Sequence, residues 1–336
     1  MPLILDRKHV LDVFAEAYDR KWVLPTFNVE NLTTVEAILE ATKEYGKTIG
    51  IEDLPIIIGI TNNYSHRPQS VYYTQTRKWD IGLRLFLSDL SILTSTESPY
   101  EKLKVMVHLD HVQWDDDKEL LDWSMKQFSS IMYDASTLPF EKNTINTAAF
   151  VKKNKDAIVI EGACDEISSV EGFEKNDLTT PEMAENYFKQ TGVDIVVANL
   201  GTEHRSGASE LQYNGDVARQ IRERIGTHLC LHGTSSVSMK NLTKLFDDGI
   251  CKVNIWTALE RDSTPVLFKD MLTNAEKVVG PEKVKELFSE QLLGERAIHP
   301  GSLSINYFTT TYRQELIFQK MKNTITNYLN TWYILR

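Results

Sequence analysis

The sequence predicts an α/β protein whose eight parallel strands close into a (β/α)8 barrel. Three observations predict this fold class: short apolar, β-branched runs recur along the chain, helical stretches separate them, and there are eight such runs. Such runs are typical of strands that are buried on both faces. Strands that alternate with helices imply right-handed crossovers in a parallel sheet. A doubly wound open sheet is the alternative.

The predicted elements follow one another regularly. Thr180-Pro181-Glu182 predicts an N-cap, a proline in the first helical turn and an acidic start. Ser238 is predicted to cap a helix that runs to Asp248, where Gly249 supplies a left-handed end. The predicted strands are Val23–Val29, Leu54–Thr61, Lys104–Leu109, Ser130–Tyr133, Ala157–Glu161, Asp194–Asn199, Thr227–Leu231 and Cys251–Trp256.

Two segments exceed what a minimal barrel requires. Asn62–Arg77 is long and polar, so an inserted loop is expected after the second strand. Ile317–Leu335 has helical periodicity and indicates either a packing or dimerising appendage or helices that cover the barrel. We therefore expect a single domain over residues 1–336, with the barrel at about 1–274 and a C-terminal helical extension at about 275–336.

Composition excludes several classes of function. The chain has 336 residues and 37 basic against 47 acidic side chains, a net charge of −10, which argues against a nucleic-acid-binding face. Apolar runs are too short to predict a membrane span. Three well-separated cysteines, without a CxxC motif, suit a reducing compartment. Because the N-terminal segment lacks the features of a signal peptide, a cytoplasmic location is expected.

Reactive side chains lie at the predicted carboxyl ends of the strands, the face where barrel enzymes carry their chemistry. We expect His9, His66, His228 and His299 to lie elsewhere, and strand alternation predicts that His108 points away from this rim. The residues expected at the rim are Asp110, His111, Asp134, Glu161, His204, His232 and Asn254.

Three histidines on one rim favour a metal site. His111, His204 and His232 are separated by 93 and 28 residues, so only the fold would bring them together. Three neutral imidazoles leave zinc its full charge and an open position, from which it can polarise a carbonyl group. Asp110 could transfer a proton or could orient His111. Asn254 could bind a substrate oxygen or the backbone.

These motifs resemble those of the class II, metal-dependent fructose-bisphosphate and tagatose-bisphosphate aldolases. The resemblance covers about seven tenths of the chain, to Leu259, and rests on LPTFNVEN, LPIIIGIT, HLDH, IMYDASTLPFEKNT, GTEH, LHGTSSV and KVNIWTAL. It implies a (β/α)8 barrel with zinc bound by His111, His204 and His232, although cobalt or iron also suits three histidines. It further implies reversible aldol cleavage of a ketose or ketose phosphate through a zinc-stabilised enediolate.

The resemblance also implies roles for individual residues. Asp110 corresponds to the proton-transfer residue and Asn254 to the asparagine at the dihydroxyacetone-like unit. Asp134 and Glu161 are candidate acids of the metal cavity, and the loop at Gly162–Leu178 is similar to a lid in which Glu171 or Glu174 would supply an acid or base. The candidate substrate-binding residues are Asn28, Thr61, Gly233, Thr234, Ser235 and Thr257.

The chain departs from the family pattern where the substrate would bind. Ala163 replaces the second glutamate of V-E-A-E-L-G, and Arg205-Ser206-Gly207-Ala208 replaces a short run that commonly ends in lysine. His232–Ser236 reads HGTSS instead of H-G-G-S-G. Trp256 and Ala258 replace both acids of N-x-D-T-D.

These departures predict a substrate other than fructose 1,6-bisphosphate, with a divergent glycolytic enzyme as the alternative. A zinc-dependent isomerase or epimerase on the same site, or a non-catalytic protein with the aldolase fold, also stays open. The expected partners are a sugar or sugar phosphate and further copies of this chain, in a homodimer or larger homo-oligomer. No nucleic-acid or membrane partner is expected.

Overall fold

A closed barrel of parallel strands forms the centre of the protein. The computed structural model describes residues 3–165, 178–202 and 213–334, apart from the side chain of Ser236. Each strand pairs with the next one in the chain, and the last strand pairs with the first from Leu24↔Lys252 to Phe27↔Ile255. This closure confirms the predicted (β/α)8 fold class and excludes the open sheet. The strands are β1 (Leu24–Asn28), β2 (Pro55–Thr61), β3 (Lys104–Gln113), β4 (Ser130–Asp134), β5 (Val159–Ala163), β6 (Ile195–Val197), β7 (Leu229–Leu231) and β8 (Ile250–Ile255).

Helices surround the barrel and connect its strands. Short 3₁₀ turns occur at Met125–Gln127, Thr234–Ser236 and Glu295–Ala297. The α-helices of the described residues are α1 (Arg7–Asp19), α2 (Leu32–Ile49), α3 (Gln69–Tyr72), α4 (Trp79–Leu93), α5 (Lys118–Leu121), α6 (Phe140–Asn154), α7 (Pro181–Thr191), α8 (Gly215–Ile225), α9 (Met239–Leu242), α10 (Thr257–Thr273), α11 (Ala275–Val279), α12 (Pro281–Ser289), α13 (Ile305–Phe308) and α14 (Thr310–Trp332).

The strands are apolar because both of their faces are buried. Ile56, Ile57, Ile58 and Ile60 of β2 are all fully buried, although their side chains alternate between the barrel interior and the helical layer. Burial of each such side chain stabilises the fold by roughly 1.5–3 kcal/mol relative to its exposure to water. The short apolar runs in the sequence therefore identify the strands correctly.

The observed strands begin or end one or two residues away from the predicted bounds, and two predicted elements differ by more. β3 continues to Gln113 instead of ending at Leu109, because its pairing with β4 resumes at Val112 after an irregularity in register. The helix predicted from Ser238 to Asp248 is wrong beyond Leu242, since the backbone bonds there shift to three-residue spans, such as the amide of Lys244 to the carbonyl of Asn241.

Other local predictions are confirmed. Thr180 caps α7 by accepting a hydrogen bond from the amide of Met183, with Pro181 in the first turn. Gly249 has the expected left-handed conformation, with a φ of 96°, but it does not end a helix, because α9 ends at Leu242. The stretch 62–77 is an insertion after β2, but it contains the short helix α3 rather than loop alone.

The C-terminal helix α14 packs on the outside of the barrel against α2 and α10. Trp332 donates its indole N–H to the carbonyl of Leu242 at 3.0 Å, and the hydroxyl of Tyr333 donates to the carbonyl of Pro55 at 2.6 Å. No helix in the described part of the chain is long and apolar enough to cross a bilayer.

Candidate active site

A pocket opens at the carboxyl ends of the strands. The first wall comes from β2 and the loop after it, the floor comes from β3 and β8, and the opposite wall comes from the segment after β7. The residues that line the pocket are Asn28, Thr61, Tyr64, His66, Arg67, Gln69, Asp110, His111, His232, Gly233, Thr234, Ser235, Asn254, Ile255, Trp256 and Thr257. Every candidate substrate-binding residue from the sequence lies in this set.

An irregularity in β3 brings two consecutive residues, Asp110 and His111, to the same pocket. In a regular strand they would point to opposite faces. The pairing of β3 with β4 shifts between Leu109 and Val112, and His111 has a φ of 46°, in the left-handed region. Such a conformation costs a non-glycine residue roughly 1–2 kcal/mol, and it turns the imidazole toward the pocket.

The prediction for His108 is wrong for the same reason. His108 and Asp110 are two residues apart, so alternation places them on one face, and it is His111 that breaks the alternation. The His108 Nε2 lies 3.7 Å from Asp110 Oδ1, and its Nδ1 is 2.8 Å from the hydroxyl oxygen of Ser130. His108 therefore lies beneath the candidate site, fully buried.

Asp134 orients His111 from behind. Its Oδ2 lies 2.9 Å from His111 Nδ1 and accepts a hydrogen bond from Gln113 Nε2 at 3.0 Å, while Oδ1 accepts from the amide and hydroxyl of Ser136. Burial would raise the pKa of Asp134, but the hydrogen bond and charge of His111 and the bonds from Ser136 lower it to about 2. Because Asp134 does not line the pocket, its place is that of a carboxylate which holds a histidine in position.

His111 and His232 meet with Asp110 at the floor of the pocket. The two imidazole centroids are 4.9 Å apart and the rings are nearly perpendicular. Potential ligand atoms of Asp110, His111 and His232 all lie within 4.8 Å of one another, an arrangement that could hold a metal ion. His204, together with Glu171 and Glu174, lies outside the described residues.

Asp110 is held by two side-chain amides. Asn28 Nδ2 donates to Oδ2 at 2.7 Å, and Asn254 Nδ2 donates to Oδ1 at 2.9 Å. Burial alone would raise the pKa of Asp110, but the charge of His111 and the contacts with His108 and His232 hold it well below the ordinary value. Asp110 is therefore an ionised, oriented carboxylate at the floor of the pocket.

The chain matches the model for the class II fructose-bisphosphate aldolases over residues 8–302. The chain belongs to the class II fructose-bisphosphate aldolase family. Members of this family are metal-dependent carbon–carbon lyases.

The matches to curated relatives cover most of this chain and nearly all of each relative. A fructose-bisphosphate aldolase of Staphylococcus aureus is 27% identical over 307 residues, which cover 88% of this chain and 96% of the relative. One from Treponema pallidum is 24% identical and covers 84% of this chain and 95% of that protein.

Solved structures share the fold. The crystal structure of the fructose-bisphosphate aldolase of Campylobacter jejuni superposes with a TM-score of 0.75 at 16% identity, covering 99% of this chain and 96% of that one. The YdjI aldolase of Escherichia coli gives a TM-score of 0.64 at 17% identity, with coverages of 99% and 97%.

In this class II aldolase, the segments after β7 and β8 form one end of the pocket. Gly233 has a φ of 66°, and the buried Thr234 donates its hydroxyl to the carbonyl of Leu231 at 3.2 Å. Thr257 begins α10 beside them, so backbone N–H groups from a turn and from a helix start are both near this end. Trp256 lines the pocket at the same place.

The first wall, from the loop after β2, contains residues that the sequence did not predict to lie in the site. The ring of Tyr64 stacks on the imidazole of His111, with centroids 4.2 Å apart and planes 5° apart. His66, expected elsewhere, lines the pocket with Arg67 and Gln69. The length of this loop could have indicated its place in the site, because a long loop after a barrel strand must lie at the carboxyl rim.

Arg67 does not carry an uncompensated charge into the pocket. Its Nε lies 3.0 and 2.9 Å from the two carboxylate oxygens of Glu30, and its guanidinium lies 4.8 Å from the ring centroid of Tyr72 and 6.0 Å from that of Trp256. The hydrogen bond that Arg67 donates to Glu30 raises the pKa of Arg67, despite partial burial. Nearby, burial and the charge of Glu30 raise the pKa of Glu260 to about 7.

Thr61 supports this wall from below. Its hydroxyl donates to the carbonyl of Arg67, and its amide donates to Gln69 Oε1 at 3.0 Å. Gln69 in turn donates to Glu30 at 3.2 Å. Thr61 is nearly fully buried, so the structure places it as the residue that holds the loop against β2.

Glu161 lies deeper than the pocket. It is fully buried, and one of its oxygens is 2.8 Å from the Nζ of Lys252, which is also fully buried. Glu161, Cys230 and His232 form a second group with metal-ligand spacing. Because the ammonium of Lys252 already lies against Glu161, and 3.7 Å from the sulfur of Cys230, the group around Asp110 suits a metal ion better.

Proposed function

We propose that this protein is a metal-dependent aldolase that makes and breaks the carbon–carbon bond next to the carbonyl of a ketose or ketose phosphate. One observation carries the proposal: an ionised Asp110, fixed between two amides, lies beside His111 and His232 in one pocket. Membership of the class II family supports the reaction class.

The donors that meet in the pocket fit a divalent transition-metal ion. Asp134 binds Nδ1 of His111, so Nε2 would be the ligand atom, as is usual for a metal-binding histidine whose other nitrogen binds a carboxylate. We propose zinc, with His111, His232 and His204 as its ligands; cobalt or iron would suit the same donors. When bound, the ion supplies Lewis-acid polarisation of the carbonyl oxygen.

Asp110 is proposed to move the proton that aldol chemistry requires. In cleavage, the hydroxyl group at the broken bond must lose its proton as its carbon becomes an aldehyde, and an ionised carboxylate within reach accepts it. In synthesis the same group returns the proton. Asn28 and Asn254 hold both oxygens of Asp110, so the carboxylate keeps one orientation throughout. Asn254 also lines the pocket and can contact the ketone unit.

We propose a substrate other than fructose 1,6-bisphosphate. Gly233, Thr234, Ser235 and Thr257 line the end of the pocket where the resemblance predicts the ketone-side phosphate. Trp256 fills volume at that end without charge, where the family pattern has an acid, and the neighbouring Ala258 is buried. A ketone substrate that carries a substituent other than phosphate at this end fits the changed surface.

We also propose that the protein forms a homodimer or larger homo-oligomer in the cytoplasm. Its buried thiols, Cys164 and Cys230, suit a reducing compartment.

Light scattering after size exclusion should give a mass of at least two chains, and a monomer would contradict the proposed homo-oligomer. Exposed apolar side chains on one stretch of the chain support self-association: Val266, Phe268, Val279, Phe288, Leu292, Ile298, Leu303, Ile305 and Phe308.

The test of the reaction is deuterium exchange, followed by proton NMR in D₂O. The zinc-loaded protein would be given dihydroxyacetone phosphate, dihydroxyacetone or hydroxypyruvate, with a chelated sample as control. Metal-dependent exchange on one donor would establish enolisation without the aldehyde partner and would identify the ketone unit. A second assay with added aldehydes then separates carbon–carbon bond formation from isomerisation. No exchange on any donor, with zinc bound, would count against the aldolase.

A further inference from the structure

A lysine lies in the floor of the barrel, directly beneath the pocket. Lys252 projects from β8 and is fully buried. Its Nζ lies 2.8 Å from Glu161 Oε1, 3.5 Å from His108 Nε2 and 3.7 Å from Cys230 Sγ, and it donates a hydrogen bond to Asn254 Oδ1. A buried ammonium persists only when acceptors surround it in this way.

The contact with Asn254 has a geometric consequence. The two ends of an asparagine amide have nearly the same shape but opposite hydrogen-bonding character. Lys252 donates to Oδ1, and the thiol of Cys230 is 3.6 Å from the same oxygen. Nδ2 must then point the other way, where it lies 2.9 Å from Asp110 Oδ1.

The reversed amide would be unfavourable at both ends. Its N–H groups would face an ammonium, and its oxygen would face the carboxylate of Asp110. Since hydrogen bonds to charged groups are the stronger class, Lys252 and Asp110 together select one orientation of Asn254. Asn28 donates to the other oxygen of Asp110, and this hydrogen bond does not involve Lys252.

We propose that Lys252 is a positioning residue of the aldolase site: its ammonium fixes the amide of Asn254, which in turn orients Asp110 for proton transfer. The proposal rests on the proposed aldolase function. It differs from a purely structural role, in which Lys252 would only neutralise the buried charge of Glu161.

Three variants separate the two roles. Lys252→Met alone leaves the carboxylate of Glu161 buried without its cation. This variant therefore serves mainly to show how far the loss of that cation destabilises the fold. Glu161→Gln keeps the bond between Lys252 and Asn254, and Glu161→Gln/Lys252→Met removes both charges together. Each is tested for thermal unfolding, zinc content, the kcat and KM of aldol formation from the exchanging donor and an added aldehyde, and the crystallographic distance between Asn254 and Asp110.

We expect the double variant to unfold near the temperature of Glu161→Gln and to bind as much zinc. Its kcat should be about 10- to 100-fold lower than that of Glu161→Gln, the usual loss when a catalytic group is misplaced, with KM changed less than about threefold. The amide of Asn254 should move away from Asp110.

Equal kcat in Glu161→Gln and the double variant, with Asn254 still bound to Asp110, would overturn the proposal. If the wild-type protein shows no exchange on any donor, the aldolase function fails instead. In that case the distance between Asn254 and Asp110 tests the positioning role of Lys252 by itself. Loss of the contact in the double variant would support the role, and an unchanged contact would overturn it.

Discussion

The phenol ring of Tyr64 lies flat on the imidazole of His111, with 4.2 Å between their centroids and 5° between their planes. His111 is thus fixed on two sides, by this ring on its face and by Asp134 at Nδ1. These two contacts help to keep the second nitrogen of His111 directed at the pocket.

Tyr64→Leu should weaken zinc binding, because loss of an aromatic stack costs about 0.5–1.5 kcal/mol, or roughly two- to tenfold in affinity. Tyr64→Phe keeps the ring and should bind zinc nearly as tightly as the wild type. Competition with a chromogenic chelator measures both affinities. Equal weakening in the two variants would show that the hydroxyl, and not the stack, supports His111.

Asp134→Asn should lower zinc affinity by about 10- to 100-fold, the usual effect of removing a carboxylate that orients a metal-binding histidine. Ser136→Ala is the matched control, since Ser136 bonds only the other oxygen of Asp134 and leaves the contact with His111 in place. The same chelator competition applies. Unchanged affinity in Asp134→Asn would remove Asp134 from the metal site.

Stability should fall in acid through Asp134. Burial raises its pKa, but the bond and charge of His111 lower it to about 2, below the ordinary value of 3.8. A lowered pKa in the folded state means that the stabilising contribution is complete above about pH 4 and is lost as the pH falls toward 2. Chemical unfolding between about pH 5 and pH 2 should therefore show a shallower decline in Asp134→Asn than in the wild type. Parallel declines would contradict the prediction.

Gly59→Ala should displace Asn28 and slow the reaction. A Cβ at Gly59 would lie 2.4 Å from Oδ1 of Asn28 and 2.9 Å from Cγ2 of Thr26. Asn28 would then lose its contact with Asp110, and we expect a fall in kcat of about tenfold or more. Gly294→Ala, where a Cβ meets nothing within 4 Å, should leave the rate unchanged. A Gly59→Ala enzyme with full activity would remove Asn28 from the proton-transfer step.

Asp110→Ala should retain zinc through the histidines and slow aldol cleavage and formation by at least about 10²-fold, because general acid–base catalysis typically contributes 10²–10⁴-fold. Zinc analysis and the rate of aldol formation with an added aldehyde, both on the same sample, separate the two effects. A fully active variant would end the proposed role of Asp110, and a variant without zinc would show that Asp110 serves mainly as a ligand.

Much of this architecture was readable from the sequence, because burial on both faces makes barrel strands short and apolar. His232 and Asn254 followed from their places at strand ends, whereas Gly233, Thr234, Ser235 and Thr257 followed from the family resemblance. The orientations of His108 and His111 did not, since they depend on one irregularity in β3 that no periodicity records. Lys252 was also missed, because a lysine in an apolar strand gives no indication of the buried acceptors around it.

The loop after β2 was interpreted as an insertion, although Tyr64, His66 and Arg67 form one wall of the pocket. The contacts that fix this loop run through side chains distant in sequence. Asn62 Nδ2, for example, donates to Asp117 at 2.7 Å across 55 positions. Such pairs become visible only when the strands have been placed side by side.

The bond between Tyr333 and Pro55 spans 278 positions of the chain. Together with the pairing of β1 with β8, it means that the barrel joins its first strands to its last elements. Native contacts of such long range slow folding, because the chain must close large loops before those contacts form. A truncation before α14 would expose the faces of α2 and α10 against which it packs, and it should lengthen the lifetime of partly folded states, which are the species most prone to aggregation.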